Sequence, residues 1–229
     1  MSMPQLQLVP NLIDRVHDRL LAAIIDGTLA PGARITQDKV AALLGVSRQP
    51  VSHALHLLKR RGLVIEHGRR GLQIAPLDAG RIRDLYQVRE ALDGIAAERA
   101  ARRFESGRVA RAERSEAEQV LLDGVALGAD AAMSAWIAAD VAFHSMLYRL
   151  SGNQAISETV AEQWPHFMRS MRLVLATDAA RARVWSEHQA ILGAVLAGNS
   201  DSAGRLARLH AANAGEQTAR SLEQSQSVA

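Results

Sequence analysis

Asp140 and His144 stand four residues apart in the segment AWIAADVAFHSMLYRL. On a helix that spacing puts both side chains on one face, about 6 Å apart. A carboxylate and an imidazole so placed can form a surface ion pair or ligate one cation. His188 follows in VWSEHQAILGAVL, with Ile191, Leu192 and Val195 on the same helical face. His210 shares a face with Leu206, Ala207 and Ala214. A lone inward histidine is usually a satisfied core residue. Three inward histidines with an inward carboxylate are different, because four ionisable groups in an apolar interior are costly unless they are paired or coordinate something. Helical bundles build metal sites in their cores. Three imidazoles and one carboxylate suit a divalent Zn, Ni, Mn, Fe or Co ion, with Zn, Ni or Mn leading, and the ligand set does not choose among them. Glu187 adjoins His188 but is expected to point elsewhere on its helix.

A second group of residues suits a different chemistry. The stretch LGVSRQPVSHALHLLKRRGLVIEHGRRGLQI, residues 44–74, gathers cations, histidines and glycines around two short apolar runs. Ser47 can cap a helix whose first turn exposes Arg48, Gln49, Ser52 and His53. A helix N-terminus offers unpaired N–H groups and the positive end of a dipole, both favourable to phosphate. In a helix-turn-helix the same first residues reach base edges in the major groove, where arginine can pair with guanine through two bonds. The stretch LVIEH-GRRG-LQIAP reads as a hairpin whose tip carries His67, Gly68, Arg69 and Arg70. A run such as Lys59–Arg61 alone would be a solvated helix end; with the basic tip it suggests a DNA-holding device.

These residues must be placed by two kinds of architecture. Leu12, Val16, Leu20 and Ile24 recur every four positions and predict an amphipathic helix from Asn11 to about Asp26. Thr36 caps a short second helix with apolar Val40, Ala41, Leu43 and Leu44, and Gly45 ends it. The order is helix, helix, tight turn, helix, hairpin. From Asp78 onward the chain reads as helix, broken near residues 105–108, 127–130, 150–153, 176–179 and 197–201. The fold class is therefore mostly α: an N-terminal winged helix-turn-helix at 8–76, then an all-α antiparallel bundle of about six helices at 77–224.

Bulk properties agree with two jobs on one chain. Residues 1–75 hold ten Lys+Arg and five Asp+Glu, a charge of +5; residues 76–229 hold seventeen and nineteen, a charge of −2. Cysteine is absent, which excludes disulfides and thiolate metal sites. Aromatics are 3%, too few for a base-stacking platform on single strands. No apolar run approaches the roughly 20 residues that span a bilayer, so a cytoplasmic protein with no membrane partner is expected.

The segment LLGVSRQPVSHALHLLKRRGLVIEHGRRGLQIAPL resembles the winged-helix reader head of GntR-family transcription regulators. The family usually carries arginine where Ser52 stands, so the operator sequence does not transfer. The pattern around Asp140 and His144, then EH-x-x-I-L-x-A-V-x-x-GN, then a late histidine, resembles the FCD effector domain of the FadR branch. IRDLYQVREALDGIAAERAA is similar to that domain's first helix, with Asp93 where glutamate is frequent. The resemblance implies a homodimer on a near-palindromic double-stranded DNA operator. It also implies a divalent metal ion on Asp140, His144, His188 and His210. A small carboxylate effector would take the remaining coordination positions, with Arg89 or Arg172 as second anchor; a structural ion pair is the competing role for Arg89. The alternative reading is a metal-dependent enzyme acting on a small organic acid.

Overall fold

A computed structural model describes residues 12–68 and 71–227. The chain divides into two compact units after Pro76. The wing-tip residues Arg69 and Arg70 lie outside the described residues.

The first unit contains α1 (Leu12–Ile25), β1 (Arg34–Ile35), α2 (Gln37–Leu44), α3 (Arg48–Arg60), β2 (Val64–His67) and β3 (Gly71–Ile74). Val16, Leu20 and Ile24 of α1 join Val51, Ala54, Leu55 and Leu58 of α3 in one core, as the four-residue periodicity requires. Thr36 accepts a hydrogen bond from the Lys39 N–H and starts α2. Gly45 ends it at φ 63°, a left-handed conformation that costs glycine little, and so allows the sharp turn into α3. Ser47 occupies the N-cap position of α3, but its side chain makes no capping hydrogen bond. Leu43, placed on the apolar side of α2 by its spacing, stands 80% exposed. β2 and β3 form the expected antiparallel hairpin. The two-residue β1 adds a third strand beside β3, with Arg34 opposite Gln73 and Ile35 opposite Leu72.

The second unit is six helices among the described residues: α4 (Ala79–Glu105), α5 (Arg111–Val125), α6 (Met133–Leu150), α7 (Gln154–Val174), α8 (Asp178–Leu196) and α9 (Ser200–Ser227). The five breaks expected from sequence fall at the five connections. The long α4 and α9 run antiparallel: Gly204 faces Glu98, Gly94 faces Arg208 and Gly215 faces Tyr86. A Cβ on Gly215 would stand 2.5 Å from the Tyr86 side chain, so glycine is what lets the two backbones approach. Salt bridges from Arg83 to Glu216 and from Arg208 to Glu98 hold the outer edge of the same pair.

Trp185 of α8 lies over the backbone of α5 at Gly124 in the same way. A Cβ on Gly124 would sit 1.9 Å from the indole ring. The Gly124→Val variant therefore should lose about 1–3 kcal/mol of stability from overpacking, seen as a lower thermal midpoint in a calorimetric scan. An unchanged midpoint would show that the indole can move aside at no cost.

Candidate metal centre and nucleic-acid interface

Three helices of the bundle bring the four candidate ligands together. Asp140 and His144 come from α6, His188 from α8 and His210 from α9. Their exposures are 6%, 1%, 0% and 4%, so none is a surface residue. One ligand atom from each lies within 4.8 Å of all the others. Nε2 of His188 is 3.3 Å from Nε2 of His210 and 3.6 Å from the Asp140 carboxylate. Nε2 of His144 is 3.8 Å from the second Asp140 oxygen.

These spacings suit a shared cation. Two donors about 2.1 Å from one ion are about 3 Å apart at right angles and about 4.2 Å apart on opposite sides. Nε2 of His144 is buried and makes no hydrogen bond within the protein. Burial, with His210, His144 and Arg89 as close neighbours, pushes the His188 imidazole well below its ordinary pKa. Burial and then Arg89 lower that of His144. Both rings are thus kept in the neutral form that ligates metal.

Two outer carboxylates orient these rings. Asp93 of α4, fully buried, places an oxygen 3.3 Å from Nδ1 of His144. The other oxygen accepts a 2.5 Å hydrogen bond from the Tyr148 hydroxyl. Burial alone would raise the Asp93 carboxyl, but His144 and Arg89 hold it at about 2. Glu187 accepts at 2.7 Å from Nδ1 of His210. The expectation that Glu187 points away from the site is corrected here. It points away from His188, its chain neighbour, and onto the imidazole of the facing helix. A carboxylate on Nδ1 fixes the tautomer and turns Nε2 inward. Sequence spacing missed both carboxylates, because each acts across a helix pair rather than along one helix.

Arg89 of α4 is also buried. Its guanidinium lies 3.4 Å from Asp93 and 3.9 Å from Asp140. It packs 5.0–5.5 Å from the ring centres of Tyr86, Trp164 and Phe167. Arg89 further lines a cleft of about 240 Å³ between α4 and α7, with Thr159 and Gln163 on the far wall. Arg172 is exposed near the end of α7, whereas Arg169, one turn earlier, is buried.

In the first unit, Arg48, Gln49 and His53 are exposed at the start of α3, and Ser52 is half-buried. His67 ends β2, and Gly68 follows at φ 62°. Arg48 is not isolated: Asp38, in the first turn of α2, bonds its Nε.

Residues 84–213 match the FCD domain family, and residues 12–74 match the gntR family of bacterial regulatory proteins. The chain belongs to the GntR family and carries a C-terminal FCD domain. It is similar to an uncharacterized HTH-type transcriptional regulator of Streptomyces ambofaciens, 30% identical over 85% of this chain and 80% of that one. It also resembles the HTH-type regulator BphR of Paraburkholderia xenovorans, at 27% identity over 88% and 83% of the two chains. A crystal structure assigned as a GntR transcriptional regulator, from Rhodococcus sp. RHA1, superposes with TM-score 0.72 at 27% identity, covering 90% of this chain and 96% of that one. E. coli McbR/YncC shares the fold at TM-score 0.73 and 18% identity, over 95% and 100% of the chains. This GntR-family protein is a DNA-binding transcription regulator. Among the described residues no helix is long and apolar enough to cross a membrane.

Replacing Asp93 by asparagine should weaken divalent-metal binding by about 10- to 100-fold while the four inner ligands remain. Glu187→Gln should act in the same direction. Titration calorimetry with Zn and Ni on the purified variants measures both; wild-type affinity in either variant would mean its carboxylate does not tune the imidazole it touches.

Proposed function

We propose that this regulator holds a divalent metal ion on Asp140, His144, His188 and His210, and that a small carboxylate effector joins that ion and changes operator affinity. The reading rests on the four ligand atoms gathered within 4.8 Å in a buried site. When bound, such an ion supplies a positive centre that attracts an anionic oxygen. Asp140, His144, His188 and His210 would hold the ion, and a metal that takes more than four donors could accept a further oxygen. Arg89 is the better second anchor: it adjoins Asp140 on one side and lines the α4–α7 cleft on the other. Its planar guanidinium suits a carboxylate, and Asp140 and Asp93 hold it in place until one arrives. Arg172 is the weaker candidate because its side chain stands on the exposed side of α7.

The division of labour follows the two units. Residues 8–76 bind the operator, and residues 77–224 bind metal and effector and form the homodimer. Arg48, Gln49, Ser52 and His53 face the major groove, while His67, Gly68, Arg69 and Arg70 of the wing approach the neighbouring backbone or groove. The protein works in the cytoplasm, where the operator is. Effector binding alters DNA affinity only to the extent that the effector prefers one arrangement of the two reader heads.

Purified protein should contain near-stoichiometric divalent metal, and His188→Ala should lose it; full occupancy in the variant would identify different ligands. A thermal-shift screen of small organic acids should find a member that raises the melting temperature of metal-loaded protein, because a ligand that binds only the folded form stabilises it. No shift across the panel would remove the effector reading. Arg48→Ala should weaken binding to operator DNA, isolated by selection from a random library, by about tenfold. Fluorescence anisotropy measures it, and unchanged affinity would remove Arg48 from the interface.

A further inference from the structure

The DNA-reading face carries acids as well as cations. Asp38, in the first turn of α2, bonds the Arg48 guanidinium at the first position of α3. Glu66 of β2 bonds the Lys59 ammonium in the last turn of the same helix. Both ends of α3 are therefore tied to a carboxylate on a different element. Asp38, Arg48 and Glu66 line one polar cleft of about 520 Å³, together with Thr36 and with Gly68 of the wing. The pairs are exposed, with side-chain exposures of 68% and 63% for Arg48 and Asp38 and of 43% and 70% for Lys59 and Glu66. Exposed pairs contribute little to folding, so their stability value gives no reason for two acids to stand on a surface that must approach phosphates.

Their effect on binding is larger and has a definite sign. Sequence-blind affinity for duplex DNA comes from cations that displace condensed counterions. A cation already matched by a carboxylate displaces fewer, and the carboxylate is itself repelled by the backbone. A base edge offers what a phosphate does not: Arg48 can make two directed bonds to guanine, and Asp38 can accept from the amino group of cytosine. An acid beside each cation therefore penalises non-specific contact more than it penalises a correct site.

We infer that Asp38 and Glu66 are specificity-determining residues: each masks a DNA-contacting cation of α3, suppressing binding to random sequence and leaving binding to the operator nearly intact. The inference rests on the reading of Arg48 as a DNA contact, and takes Lys59, in the last turn of the same helix, as a second one.

The test uses the full chain, random-sequence duplex DNA and operator duplex obtained by selection, read by fluorescence anisotropy over a salt series. Asp38→Asn and Glu66→Gln should each tighten random-sequence binding about three- to fivefold at moderate salt. Each should also steepen the dependence of affinity on salt by roughly one unit of slope. The ratio of operator to random affinity should fall in both. Asp14→Asn, an exposed acid of α1 in the same unit, controls for net charge and should give a smaller gain. In an Arg48→Ala background the Asp38→Asn gain should vanish, because the mask has nothing left to cover; Lys59→Ala should abolish the Glu66→Gln gain. A gain no larger than that of Asp14→Asn, or one that survives removal of the paired cation, overturns the inference while Arg48 keeps its role. Unchanged operator binding in Arg48→Ala alone overturns the Arg48 contact and its mask together.

Discussion

The centre of the C-terminal bundle buries three imidazoles, the carboxylates of Asp93 and Asp140, and the Arg89 guanidinium, each at least nine-tenths removed from solvent. Water cannot stabilise these groups there, so the protein must. Arg89 lies between the two carboxylates and offsets one of their charges. The remaining negative charge and the Nε2 atoms of the four-residue cluster would suit a cation.

The six buried groups come from α4, α6, α8 and α9, so their positions depend on how those helices pack. Glycines at 94, 204 and 215 let α4 and α9 close on each other, which brings Asp93 and His210 to the same level of the bundle. Phe143 stacks on His188 at 3.9 Å, and Trp185 meets the same ring edge-on at 4.9 Å. A ligand that shifts one imidazole therefore pushes on rings that are wedged between helices. Close packing makes such a site report to its scaffold, because packed interiors move between discrete arrangements rather than deforming smoothly.

The N-terminal unit solves a different problem. Its core is small, so its stability depends on the tight turn at Gly45 and the three-stranded sheet that closes over α1 and α3. Its outward face has to bind a polyanion without binding every polyanion. Cations stand at both ends of α3, each bonded to an acid of another element.

Local patterns were readable from sequence where the chemistry is local. Four-residue periodicity marked α1, glycine marked the end of α2, and the breaks between Asp78 and Asp201 marked the helices of the bundle. The facing of His188 and His210 followed from the apolar residues spaced around them, and the shared face of Asp140 and His144 from their four-residue spacing. Spacing along one helix could not show what lies across from it. Asp93 on His144, Glu187 on His210 and Asp38 on Arg48 are pairings between separate elements, outside the reach of spacing along any one of them. The two-residue β1 carries too few residues to show a period of its own. That Arg89 lies beside Asp140 while Arg172 stands exposed was equally closed to sequence, since both are arginines on helices. The sequence by itself determined most of the side chains that face inward, Leu43 excepted, because periodicity is a property of one helix. Only the tertiary structure decided which of them touch, because that depends on how closely and in what register separate helices pack.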